Sequence, residues 1–91
     1  MNRFFEKNGI EFDIDVIKTN LLFLNNADLT AELAKTDWYI VRSIDSTSQK
    51  EIPQSIVDKR VAARTRHSSV EGEINNAASV DDLKQIYTNY L

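Results

Sequence analysis

Ionisable side chains are where chemistry would have to come from. The 91 residues carry 14 acids, 11 lysines and arginines and one histidine, His67, for a net charge of −3. A catalytic carboxylate pair needs surroundings that drive its two pKa values apart. Glu11, Asp13 and Asp15 instead alternate with apolar residues and would line the wet face of a strand. Asp81 and Asp82 open a helical pattern, where negative charge offsets the helix dipole. A single histidine cannot build a multi-histidine metal site. The absence of cysteine removes thiolate nucleophiles, thiolate metal sites and disulfides. No phosphate-cradling glycine loop, HExxH or nucleophile elbow is present. These residues point to recognition rather than catalysis, with no metal or other cofactor.

Two groups suit recognition. Lys59, Arg60, Arg64, Arg66 and His67 make a basic run in an otherwise acidic chain. It lacks the interleaved aromatics of a single-strand nucleic-acid surface, and the net charge opposes phosphate binding in general. A solvated helix face fits better, or contact with an acidic protein or with the chain's own acidic N-terminal part. Trp38, the only tryptophan, reads either as a core anchor or, with Tyr39 and Arg42 beside it, as an interface anchor, since Trp, Tyr and Arg dominate binding hot spots. If the helices flanking Pro53 fold back on one another, Trp38 would meet Arg60 or Arg64 face-on, a contact worth about 0.5–2 kcal/mol.

The elements that hold these groups follow from local pattern. Asn8-Gly9 is the favoured dipeptide of a type I′ hairpin turn. After it Ile10, Phe12, Ile14 and Val16 alternate with acids, which predicts strand over residues 4–16. Such a strand could add to a partner's sheet through that one apolar face, so Phe12, Ile14 and Val16 are candidate contacts. Residues 16–25 fit either a helix, with Asp15 as its cap, or a buried strand, and Asn25-Asn26 is expected to end it. A division into an arm at 1–26 and a helical domain at 27–91 follows.

Helical signals then strengthen. Asp28 can cap a helix through Leu29 and Leu33 that continues or restarts to about Ile44. The polar run 45–52 reads as a loop, and Pro53 suits the start of the next helix because its missing N–H has no helical partner. The longest helix is expected from Gln54 to about Ala78. Its stripe Ile56, Arg60, Ala63, His67, Val70, Ile74 and Ala77 is thin, able to approach another helix closely while burying little area. In a homo-oligomer it would bring copies of His67 together. Ser79 caps a last helix with Val80, Leu83, Ile86, Tyr87 and Tyr90 on one face. The fold class expected is mainly α, a helical hairpin or small bundle with an N-terminal β arm. No run approaches the ~20 apolar residues of a membrane span, and residues 1–6 lack a signal-peptide core.

Thr36-Asp37-Trp38, then Pro53, then Arg60 and Arg64 in a helix resemble a pattern in small tailed-phage proteins known as tail-fibre assembly proteins or tail assembly chaperones. The resemblance covers residues 35–66, about a third of the chain. Lys59 stands where that family often has an aromatic residue. It implies a non-enzymatic accessory protein that binds a phage tail or fibre component, or a small virion component. The site would be the host cytoplasm during assembly or the virion, and the partner another protein, with no nucleic acid and no membrane. A small acidic inhibitor of a host complex is the alternative.

Overall fold

The computed structural model describes residues 2–44 and 51–91. Among these residues two short strands, β1 (Glu6–Lys7) and β2 (Ile10–Glu11), precede four helices. The helices are α1 (Ile14–Ala34), α2 (Asp37–Ile44), α3 (Gln54–Asn76) and α4 (Val80–Tyr90). The chain is mainly α with an N-terminal hairpin, as expected. Residues 45–50 of the expected loop lie outside the described residues.

The hairpin turns at Asn8 and Gly9, whose φ angles of 55° and 77° place both central residues in the left-handed region that a type I′ turn requires. Lys7 faces Ile10 and Glu6 faces Glu11. The strand is much shorter than expected. The backbone N–H of Phe12 still donates to the carbonyl of Phe5, but α1 starts at Ile14. Ile14 and Val16 are therefore helical, and the four-residue apolar strand face does not exist. Helix wins because Ile17 and Leu21, one helical turn apart, are both fully buried, whereas continued alternation with Ile10, Phe12, Ile14 and Val16 inward would have turned both of these odd-numbered residues outward.

Nor does Asn25-Asn26 end this helix: α1 runs unbroken for 21 residues, across the expected boundary at 26/27. Asparagine costs a helix under about 1 kcal/mol, and both amides find partners on α3 that offset it. The cap lies at Asp13 rather than Asp15, and Asp28 is interior. After a turn at Lys35-Thr36 the chain restarts as α2.

Helix α3 packs antiparallel on α1. Lys18 Nζ donates to the Asn75 carbonyl at 3.2 Å, Asn25 Nδ2 to the His67 carbonyl at 3.0 Å, and Arg60 Nη1 to the Leu33 carbonyl at 2.9 Å. Pro53 is the N-cap of α3, and its carbonyl accepts from Ile56 and Val57. The stripe from Ile56 to Ala77 is the face turned to α1, so the seam offered above to further copies of the chain is filled from within. The Ser79 hydroxyl accepts from Asp82 N–H at 3.1 Å, and the Asp82 carboxylate accepts from Ala78 N–H at 3.2 Å. That reciprocal pair has the logic of a capping box.

The core sits at one end of the molecule. Phe5, Ile17, Leu21, Val70, Ile74, Ala77, Leu83 and Ile86 form one cluster. The arm is part of it: Phe5 meets Tyr87 edge-on with ring centroids 5.6 Å apart, and Phe4 lies 6.0 Å from the same ring. Arm and helices therefore share one core. The whole is elongated, 56 × 23 × 17 Å.

Candidate protein-binding surface

At the end away from the core, α2 leaves the α1–α3 pair, and none of its residues is buried. Its sequence is amphipathic, yet Trp38, Val41 and Ile44 are 53%, 63% and 77% exposed. Spaced three apart, they share one side of the helix. Trp38 is thus no core anchor. The expected partners Arg60 and Arg64 do not reach its ring. Arg42, one turn along the same helix, lies 4.8 Å from the Trp38 centroid and 5.1 Å from that of Tyr39. The local pairing wins because it orders no loop, and because Arg60 is engaged elsewhere. The two rings themselves are 3.9 Å apart at 32°. Trp38, Tyr39 and Arg42 form a single stacked unit.

Arg60 fixes where that unit stands. Its Nη1 donates to the Leu33 carbonyl, to Thr36 Oγ1 at 2.8 Å and to Asp37 Oδ1 at 3.0 Å. Leu33 is in the last turn of α1, where carbonyls lack helical partners and favour a cation. Asp37 is the first residue of α2. One guanidinium therefore joins the end of α1, the start of α2 and the body of α3. Arg64 is exposed, and Arg66 reaches the Tyr90 carbonyl.

Along the seam, Asn25 is buried and uses only its Nδ2; no hydrogen-bond partner of its Oδ1 is found among the described residues. His67 Nε2 lies 2.6 Å from Asn26 Oδ1, which puts the proton on Nε2. Its Nδ1 is 3.8 Å from Glu71 Oε2, an ion pair only when the imidazole carries both protons. This is a polar layer between two helices. Among the described residues no group of three His, Asp or Glu side chains is placed to hold a metal ion, and no helix is long and apolar enough to cross a membrane.

Of the residues singled out by sequence, Trp38, Tyr39 and Arg42 come together, with Arg60 behind them. Phe12 is half-buried against the core at the other end, and Ile14 and Val16 have gone into α1. Sequence reasoning passed over Val41 and Ile44, although their spacing from Trp38 was available. No family model, curated protein or solved structure matches the chain.

Proposed function

We propose that the chain is a non-enzymatic accessory protein that grips another protein through the outer face of α2. The observation that carries this reading is an amphipathic helix with Trp38, Val41 and Ile44 exposed together and no residue buried. Exposed single hydrophobics need no explanation, but an aligned row headed by a tryptophan marks a contact surface. The Arg60 clasp supports it, because it holds α2 in a fixed pose without covering that face.

In the setting that the resemblance of residues 35–66 implies, the partner is a phage tail or tail-fibre protein, and the chain an assembly factor or small virion component. Thr36, Asp37 and Arg60, drawn from the first and third parts of that pattern, are in direct contact, which is favourable to the reading. The free-strand route to a partner is given up, since the strand that would use it is absent.

Affinity capture of purified tail-fibre proteins by the intact chain tests the proposal. Trp38→Ala with Ile44→Ser should weaken capture at least about 30-fold, a hot-spot loss of ~2 kcal/mol. The melting curve should barely move, as both residues are exposed. Equal capture by wild type and variant would sink the reading.

An acidic inhibitor has one observation in its favour. Exposed Glu11, Asp13, Asp15, Glu71, Asp81 and Asp82 gather at the core end. Binding through that end would fall steeply with added salt and be indifferent to Trp38.

A further inference from the structure

Helix α1 is apolar on both sides. Ile17 and Leu21 are fully buried in the core, yet Val16 and Phe23 are 44% and 74% exposed. A solvent-facing helix normally turns charged and polar residues outward, and one that is apolar all round is normally enclosed. The outward side of α1, opposite the buried Asn25, carries Val16, Thr19, Phe23, Ala27, Thr30 and Ala34, all exposed. Steps of three and four put them in one row. None of the six is charged, over the ~31 Å that the 21 residues span. The Thr19 hydroxyl donates to the Asp15 carbonyl at 3.0 Å, so its polar end is satisfied within the helix. The arm meets α1 beside the row, where Asn20 Nδ2 donates to the Phe4 carbonyl at 3.0 Å, and it leaves Phe23 uncovered.

The order of sizes along the row decides what fits it. Val16 and Ala34 lie nine residues either side of Asn25, and Phe23 and Ala27 two residues either side. A second copy of α1, turned end for end about a two-fold axis at the level of Asn25, brings Phe23 of each copy level with Ala27 of the other. Val16 comes level with Ala34 in the same way. Thr19 and Thr30 come level to within one residue, about 1.5 Å. Each of the two large side chains therefore meets a small one. A parallel pair would set Phe23 on Phe23 and Ala27 on Ala27, crowding one level and leaving a gap at the next. An interface between identical copies must be complementary to itself, and this row is so in the antiparallel sense. Asn25 also stands within one residue of the middle of α1, so the whole helix takes part. The lack of charge removes the repulsion that two identical charged faces would meet.

We propose that α1 pairs with α1 of a second copy of the chain, antiparallel, through this row. The contact uses none of Trp38, Val41 and Ile44 and is separate from the outer face of α2. One helix face covers less than the ~800 Å² per partner of a standard interface, so the pair forms and parts with concentration.

Sedimentation of the full chain from micromolar to millimolar concentration reads the pairing. Mass should rise from one chain to two and stop there, since a two-fold contact closes on itself. Added sodium chloride should not weaken the pair. Phe23→Glu should raise the midpoint concentration at least about 30-fold, with the circular dichroism unchanged because residue 23 is exposed. Phe23→Ala should weaken pairing, and Phe23→Ala with Ala27→Phe should restore it, because each level keeps one large and one small side chain. The chain has no cysteine, so introduced thiols report direction cleanly. Oxidising a mixture of Val16→Cys and Ala34→Cys chains should link position 16 to position 34. It should not link 16 to 16, which lie about 27 Å apart in this arrangement.

A single-chain mass at millimolar concentration overturns the proposal. So does a dimer indifferent to Phe23→Glu, a dimer that dissociates steeply with salt, or one linked through 16 to 16. A dimer lost with Trp38→Ala and Ile44→Ser but kept with Phe23→Glu would assign self-association to α2 and overturn it too.

Discussion

Arg60 Nη1 lies 2.9 Å from the Leu33 carbonyl, 27 residues away in sequence, and closes the C-terminal end of α1 from the side of α3. Helix ends more often satisfy their carbonyls with a following glycine or a basic residue in their own last turn. The last turn of α1 has no basic residue, so the cation is supplied by the neighbouring helix. Arg60→Met keeps most of the aliphatic stem and removes the Nη1 group that serves the Leu33 carbonyl, Thr36 and Asp37. It should cost about 2 kcal/mol, the range for bonds to charged groups. Hydrogen exchange over 37–44 should speed up more than over 17–25. Asp37→Asn should cost much less, since that ion pair is half in water. Chemical denaturation with exchange mapping checks both.

Asn25 gives a prediction with an inverted sign. Its buried Oδ1 has no partner found among the described residues, and the His67 carbonyl that it serves lies within helical α3. Asn25→Leu should therefore stabilise by about 1 kcal/mol, while Asn25→Asp, which buries a charge, should cost about 3 kcal/mol. Thermal melts at neutral pH rank the three. The Leu variant should also show whether the asparagine layer fixes pairing, because it alone would be free to form species larger than the wild type's on a sizing column.

For Glu32 the pH dependence has a definite sign. Its folded pKa lies below the unfolded one, mainly through Lys35. The contribution is thus present above the unfolded glutamate range and is lost as pH falls through the folded value. Lys35→Gln should raise the Glu32 pKa measured by side-chain NMR. Lys59→Gln and Arg66→Gln should raise it less.

The arm should behave as structure rather than as a tether. Phe5 is 6% exposed within the core, and Phe5→Ala should cost about 3 kcal/mol. Gly9→Ala puts a side chain at φ 77° and should cost about 1 kcal/mol, whereas Asn8→Gly should be nearly neutral. Urea melts followed by circular dichroism separate these outcomes. Deletion of residues 1–16 would remove the first turn of α1 as well, so loss of partner binding in that variant would report unfolding.

What could be read from sequence was whatever local chemistry decides. Asn8-Gly9, Pro53 and Ser79 each act on neighbours within four residues, and each stands where its type predicts. The stripe from Ile56 to Ala77 was legible because a helix face is periodic. The passage of α1 through Asn25-Asn26 was not, because the partners of those amides are 42 and 41 residues away. Alternation of Ile10, Phe12, Ile14 and Val16 imitated a strand, and only the burial of Ile17 and Leu21 against α3 and α4 decides for helix. Trp38 misled in the opposite direction: its size argued for the interior, but exposure depends on what else comes near, and nothing among the described residues covers it. Its stacking with Arg42 was open to an i, i+4 reading, but Arg60 and Arg64 were expected there instead.

The two ends of this 56 Å rod are held by different forces. At one, eight apolar side chains are packed dry; at the other, a guanidinium, short alanines and a ring stack do the holding. Apolar packing strengthens with excluded salts such as sulfate, while exposed charge contacts are screened by any salt. The molecule should therefore respond to its medium unevenly along its axis. Sodium chloride would screen the Arg60–Asp37 pair at the α2 end and leave both the bonds of Arg60 to Leu33 and Thr36 and the Phe5–Tyr87 end in place, while urea would bring both ends down. A chain built this way can let its α2 end yield while its body stays folded.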